Sequence, residues 1–205
     1  MINKIEGKMF SFLKKSKPAA DENVQICAKD SAYNLYLKAV EMSREARLYN
    51  EYGVADTTDG RFDLLALHVS LFLDRLEYYE SNVEHASQIG QELFDVFFQD
   101  MDQSLREKGI GDTGVPKHMR RMLEGFNGRH SRYRIILSEY HKGLTEQASK
   151  NMRHALVKNI YNETDNEHVD QLLGYIENLI IGLKAVETNL FIHATFDGAD
   201  VTKGA

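Results

Sequence analysis

Four aspartates, Asp95, Asp100, Asp102 and Asp112, fall within a short stretch of this chain. Oxygen ligands at such density are what a divalent cation requires, so one reading is an all-helical, metal-dependent enzyme with an acidic pocket. The spacing argues against it, because no Asp-Asp-x-x-Asp cluster gathers the carboxylates. Other catalytic signatures are missing too. None of the eight histidines has a glutamate three residues before it, so the di-iron Glu-x-x-His pattern is absent. There is no His-Glu-x-x-His pair, no Gly-x-x-x-x-Gly-Lys phosphate loop and no Gly-x-Ser-x-Gly elbow. Gly109-Ile110-Gly111-Asp112 is too short for a dinucleotide fingerprint and follows a helix rather than a strand. Asp165 and His168 share a helix face as a first-turn acid and a surface histidine. Cys27, the only cysteine, has no activating neighbour and excludes an intramolecular disulfide. No metal, no cofactor and no catalysis are expected.

A second group is polar without being catalytic. In the segment 61–81, Phe62, Leu65, Val69, Phe72, Leu76 and Tyr79 step by three and four. Leu64, Leu67, Leu71 and Tyr78 form another apolar stripe. A helix with two such stripes is central in a bundle. His68 and Arg75, seven apart, lie between the stripes and are expected to be buried. A buried arginine needs a carboxylate, because an unpaired buried charge is costly. Asp100, on the border of the apolar face Leu93, Phe94, Phe97, Met101 and Leu105, is the expected partner. His68, Arg75 and Asp100 then either satisfy one another in the core or form the polar floor of a groove. On the opposite side of that helix, Asp102 and Arg106 are spaced to pair at i,i+4.

The elements that position these residues are helical. Hydrophobic residues make up 42% of the 205, enough for one globular domain, and only Pro18 and Pro116 can break helices. Helices are predicted over about 31–50 with Ser31 as cap, 61–81, 85–108, from Pro116 with Gly125 and Gly128 either kinking the helix or letting another approach closely, 143–162 and 166–190. Residues 53–60 and 109–115 are turn-rich. With no strand alternation and no repeat, the prediction is an all-α, single helical-bundle domain of six or seven helices spanning 31–196. Residues 18–30 read as a linker and 197–205 as a loose tail.

Charge singles out two segments. Residues 1–17 space Ile2, Ile5, Met9, Phe12 and Leu13 as one apolar face and carry Lys4, Lys8, Lys14, Lys15 and Lys17 against Glu6. This basic amphipathic segment either docks on an anionic membrane surface, through Lys4, Lys8, Phe12, Lys14 and Lys15, or is a frayed terminus or a helix packed on the body. From Lys117 to Arg134 six Lys or Arg face one acid, Glu124. That helix either meets nascent protein, ribosomal RNA or lipid headgroups, or is a solvated face. The net charge of −6 argues against a general nucleic-acid binder, and no specific nucleic-acid sequence is expected as partner. No run approaches the roughly 18 apolar residues that span a bilayer. No signal or mitochondrial targeting segment is legible, so a cytoplasmic protein, peripheral to the inner membrane, is expected.

One set of polar words is unusual in its fixed order. It comprises Asp56, Asp59-Gly60-Arg61-Phe62, Leu67-His68, Asp100-Met101-Asp102, Leu105-Arg106-Glu107, Gly111-Asp112, Lys117 and Gly128-Arg129. Over Tyr49 to Tyr133 the chain resembles the ubiquinol–cytochrome c chaperone family. The resemblance implies an all-helical, non-catalytic assembly chaperone that binds immature cytochrome b during assembly of respiratory complex III. It also implies client contacts at Asp102, Arg106, Asp112, Lys117 and Arg129. Mitochondrial members work at the ribosome with a small partner protein. A plain adaptor for a partner helix is the remaining alternative. Residues after about 140 carry no part of the resemblance.

Overall fold

The computed structural model describes residues 22–79, 82–162 and 165–202, with backbone alone for 22–27 and 79. The basic segment 1–17, with Lys4, Lys8, Phe12, Lys14 and Lys15, lies outside the described residues, as do 18–21 of the expected linker.

Among the described residues every regular element is a helix. Six are long: α1 (Glu22–Ser43), α3 (Thr58–Tyr79), α4 (Val83–Glu107), α5 (Val115–Tyr140), α6 (Glu146–Asn159) and α7 (His168–Ala185). Three are short: α2 (Ala46–Asn50), α8 (Thr188–Ile192) and α9 (Gly198–Val201). The starts follow ordinary capping chemistry. Asn82 Oδ1 accepts from the His85 amide at 3.1 Å and Thr145 Oγ1 from the Ala148 amide at 3.1 Å. Pro116 occupies the first turn of α5.

α3 is the hub. Residues 63–72 are all buried, as its two apolar stripes require, and it packs on α1, α4, α5 and α7. α1 lies along α4, while α6 joins α5 to α7. Phe97, Phe126, Phe94 and Phe98 form an aromatic knot between α4 and α5, with ring centroids 4.6–5.8 Å apart. The His130 ring stacks on Phe126 at 5.5 Å.

Several boundaries differ from the sequence expectation. Among the described residues the first helix already runs from Glu22, inside the expected linker, so Ser31 is an interior, buried residue rather than a cap. Nothing from Glu22 to Asp30 is glycine or proline, and the helix simply continues through them. It ends at Ser43, not Asn50, where the Ser43 hydroxyl donates to the Val40 carbonyl and the Tyr49 hydroxyl donates to the Ser43 carbonyl. α5 runs unbroken through Gly125 and Gly128. The tail is docked as far as Thr202: Val201 and Thr202 are buried. Gly182 explains this contact, because a Cβ there would lie 2.2 Å from the Val201 carbonyl oxygen.

Candidate functional site

The C-terminal end of α1, the 51–57 loop, the start of α3 and the second half of α4 frame an open groove of about 570 Å³. Phe62, Leu65, Met101, Leu105 and Met122 supply its apolar floor, and Arg44, Asp56, Arg61, Asp100 and Lys108 its charged walls. A shallower hollow of about 410 Å³ shares Arg44, Tyr49, Asp56 and Arg61 and extends it over α2.

Each wall has a local cause. Thr57 Oγ1 accepts from the Gly60 amide at 3.1 Å and turns the chain into α3. Gly60 is needed because a Cβ would sit 2.1 Å from the Ala55 carbonyl oxygen. Arg61 Nε reaches back to Asp56 Oδ1 at 2.6 Å, and Lys108 Nζ donates to Thr58 Oγ1 at 2.9 Å across the groove. Phe62 stacks on Phe97, with centroids 6.0 Å apart, so the floor is continuous with the aromatic knot.

Asp100 does not pair with Arg75. Its Oδ2 accepts from the Tyr36 hydroxyl of α1 at 2.5 Å, and burial, reinforced by Asp100, pushes the Tyr36 hydroxyl well above its usual range. Arg75 points to the other side of α3. Its Nε donates to the Leu183 carbonyl at 2.8 Å, its Nη2 to the Val186 carbonyl at 3.0 Å, and the guanidinium lies 5.0 Å from the Phe191 ring centroid. It thereby satisfies carbonyls at the end of α7 and fixes the break before α8, where a single helix to 190 was expected. His68 shares that face of α3, as its spacing from Arg75 implied. Its Nδ1 lies 2.8 Å from the Leu64 carbonyl and its Nε2 2.8 Å from the Tyr175 hydroxyl. A carbonyl only accepts, so Nδ1 carries the proton and Nε2 accepts from Tyr175. Burial holds the imidazole neutral, with its pKa lowered to about 4. The expected cluster is therefore two separate sites: α3 turns His68 and Arg75 toward α7, while α4 turns Asp100 toward α1.

The five expected client contacts also divide. Arg106 Nε meets Asp102 at 2.6 Å and its Nη1 meets Asp112 at 2.7 Å, an exposed ionic triad tying the end of α4 to the following loop. Arg129 Nη2 reaches the buried Asp63 at 2.8 Å, and its guanidinium lies 5.9 Å from the Phe62 ring centroid, under the groove floor. Burial outweighs the guanidinium beside it and raises the Asp63 carboxyl to about 6. Lys117 is exposed on α5 and does not line the groove. The aspartates of the metal reading are dispersed: Asp95 accepts from Gln91 Nε2 at 3.1 Å, Asp100 from Tyr36, and Asp102 and Asp112 from Arg106. Among the described residues no group of three or more His, Cys, Asp or Glu side chains could hold a metal ion.

Sequence reasoning missed Tyr36, Arg44 and Tyr49. Their only signal was position: Tyr36 lies inside α1 and Arg44 and Tyr49 lie beyond its end, and the sequence does not name the element against which α1 packs.

Fold and groove together define an all-α bundle with an open, part-apolar groove. The model of the ubiquinol–cytochrome C chaperone family matches residues 50–198, most of the chain, and the chain belongs to that family. The match runs through α6 and α7, well past the stretch in which the resemblance was legible. The crystal structure of the Cbp3 homolog from Brucella abortus is similar at a TM-score of 0.70 and 29% sequence identity, over 88% of this chain and 94% of that one. No curated protein matches. Among the described residues, no helix is long and apolar enough to cross a membrane.

Proposed function

We propose that this protein is a non-catalytic assembly chaperone that holds immature cytochrome b during assembly of ubiquinol–cytochrome c reductase. The observation that carries this reading is the lining of the groove. Asp56, Arg61, Phe62, Asp100, Met101 and Leu105, scattered over fifty residues of the family's wording, meet there around one open cavity. An unfinished membrane protein presents apolar helix surface together with loop charges. The floor offers Phe62, Leu65, Met101 and Met122 to the first and the walls offer Arg44 and Lys108 to the second. The exposed Asp102–Arg106–Asp112 triad, outside the groove on the other side of α4, orients the client, and Arg129 acts from beneath by holding Phe62. Residues 1–17, through Lys4, Lys8, Phe12, Lys14 and Lys15, keep the protein at the cytoplasmic face of the inner membrane.

A photo-crosslinking residue in place of Leu105 tests the reading. In cells making cytochrome b, the expected product is an adduct with that protein. A deletion strain should also lose cytochrome b and the assembled complex. Normal complex levels in the deletion strain would overturn the proposal, and a crosslink to a soluble protein alone would favour an adaptor.

A further inference from the structure

The outer side of α5 carries charge that the fold does not use. At 100° per residue, Lys117, Arg120, Arg121, Arg132 and Ile135 fall within an arc of about 120°. Phe126 and Tyr133, on the opposite side of the helix, are fully buried. All five side chains in the arc are exposed, Ile135 by 61%. Among the described residues, none of the four cations has an ion-pair partner, in contrast to Arg106, Arg129 and Arg134. The acids in the arc are Glu124 and, beyond Ile135, Glu139, which already accepts from Asn151 Nδ2 at 2.8 Å. A chain of net charge −6 thus concentrates unpaired positive charge on one straight helix face.

We infer that this face of α5 docks on the surface of an anionic lipid bilayer, with the helix axis parallel to the membrane. Residues 117 to 135 span about 27 Å of helix, so the cations meet a flat surface along their whole length. Unpaired lysine and arginine lose no internal contact on meeting lipid phosphates, and each strengthens attraction to an anionic leaflet. Ile135 decides between possible anions. An aliphatic side chain standing free at the end of the stripe gains nothing from the phosphates of a nucleic acid, but is buried at the boundary between headgroups and acyl chains. The arc also lacks an aromatic ring on which a base could stack. Met122, which lines the groove, lies about 140° around α5 from Lys117, so a protein resting on this face keeps its groove open. The inference concerns a surface separate from the client site and does not depend on the client's identity.

Flotation of the full chain with vesicles tests it, using phosphatidylcholine alone and phosphatidylcholine mixed with phosphatidylglycerol. The triple variant Lys117→Glu, Arg121→Glu, Arg132→Glu should bind the mixed vesicles more weakly by on the order of 100-fold. Ile135→Asn should weaken binding by about 10-fold. Circular dichroism of both variants should match the parent, since every substitution is exposed. Deleting 1–17 should leave the effect of the triple change in place, which separates this face from the basic N-terminal segment. The inference is overturned if the triple variant floats as the parent does, if the parent binds both vesicle types equally, or if duplex RNA retains the parent while mixed vesicles do not.

Discussion

Arg129 and Arg106 each hold carboxylates at nearly the same distance, 2.8 Å for Asp63 and 2.6 and 2.7 Å for Asp102 and Asp112, yet they sit in different media. The Asp63 side chain is 7% exposed and Arg129 is 25% exposed, wedged between α3 and α5 against Phe62. The Arg106 triad stands in water, with Asp112 93% exposed. Coulomb attraction is comparable on paper, but the medium decides its consequences. A buried pair has already lost its hydration, so removing one partner strands the other. A surface triad exchanges one set of hydrogen bonds for another, with water always available. The first kind of pair shapes the molecule, and the second is free to be spent on a partner.

The largest expected effect follows from stranding a charge. Arg129→Met should destabilise the protein by about 3 kcal/mol, near the lower end of the range for buried pairs because the guanidinium is partly wetted. Adding Asp63→Leu should recover part of that loss, and chemical denaturation of the four species gives the coupling. Additive single effects would mean that the buried pair behaves like the exposed one, and the contrast would fail.

Acidification sharpens the same contrast. His68 and His130 have folded pKa values lowered to about 4 by burial, below the ordinary histidine value. Each contributes stability that is present above about pH 6.5 and is lost as pH falls through about 4, on the order of 2 kcal/mol per histidine by pH 5. Asp63 runs the other way. Its folded pKa of about 6 lies above the unfolded value, so its contribution is fully present at low pH and is lost as pH rises through about 6. Melting curves from pH 7 to 4 should therefore show a net fall. Asp63→Asn should make that fall steeper, and His130→Phe, which keeps a ring on Phe126, should make it shallower. A parent whose stability is flat over this range would show that the interior does not hold these groups as described.

The smallest stability effect belongs to the triad. Arg106→Glu should leave the melting midpoint within about a degree of the parent, while sharply reducing recovery of cytochrome b with the tagged protein. A large drop in melting temperature would mean that the triad is structural, and unchanged recovery would remove it from the client site.

Much of the architecture was legible in advance. The two stripes of α3 announced a helix central to the bundle, and residues 63–72 are buried without a gap, although Tyr78 of the second stripe is exposed. Asp102 and Arg106 were placed together by i,i+4 spacing alone, and they meet. The misreadings share a cause. Ser31 looked like a cap because a good capping residue preceded a periodic run, but capping preference does not stop a helix that nothing else interrupts. Gly125 and Gly128 suggested a kink or a close helix approach, yet α5 is unbroken and a Cβ would meet no other helix within 4 Å at either position. Residues 197–202 looked loose because four residues of α9 are too few to announce a helix, and their docking depends on Gly182, fifteen residues earlier in sequence.

The sequence by itself determined that this chain is helical, that α3 is central, that His68 and Arg75 share a buried face, and that the wording from Asp56 to Arg129 is that of the ubiquinol–cytochrome C chaperones. The first three are properties of short spacings, which helical periodicity reports faithfully, and the last is a resemblance of wording. Only the tertiary structure decided that Arg75 serves the end of α7 while Asp100 takes Tyr36, that Arg129 rather than any groove residue secures Asp63, and that Asp56, Arg61 and Asp100 surround one cavity. Periodicity states which residues of a helix look inward, but it does not state at which neighbour they look. That choice is made by how helices far apart in sequence pack, where shape, burial and the need to satisfy each buried polar group are settled together.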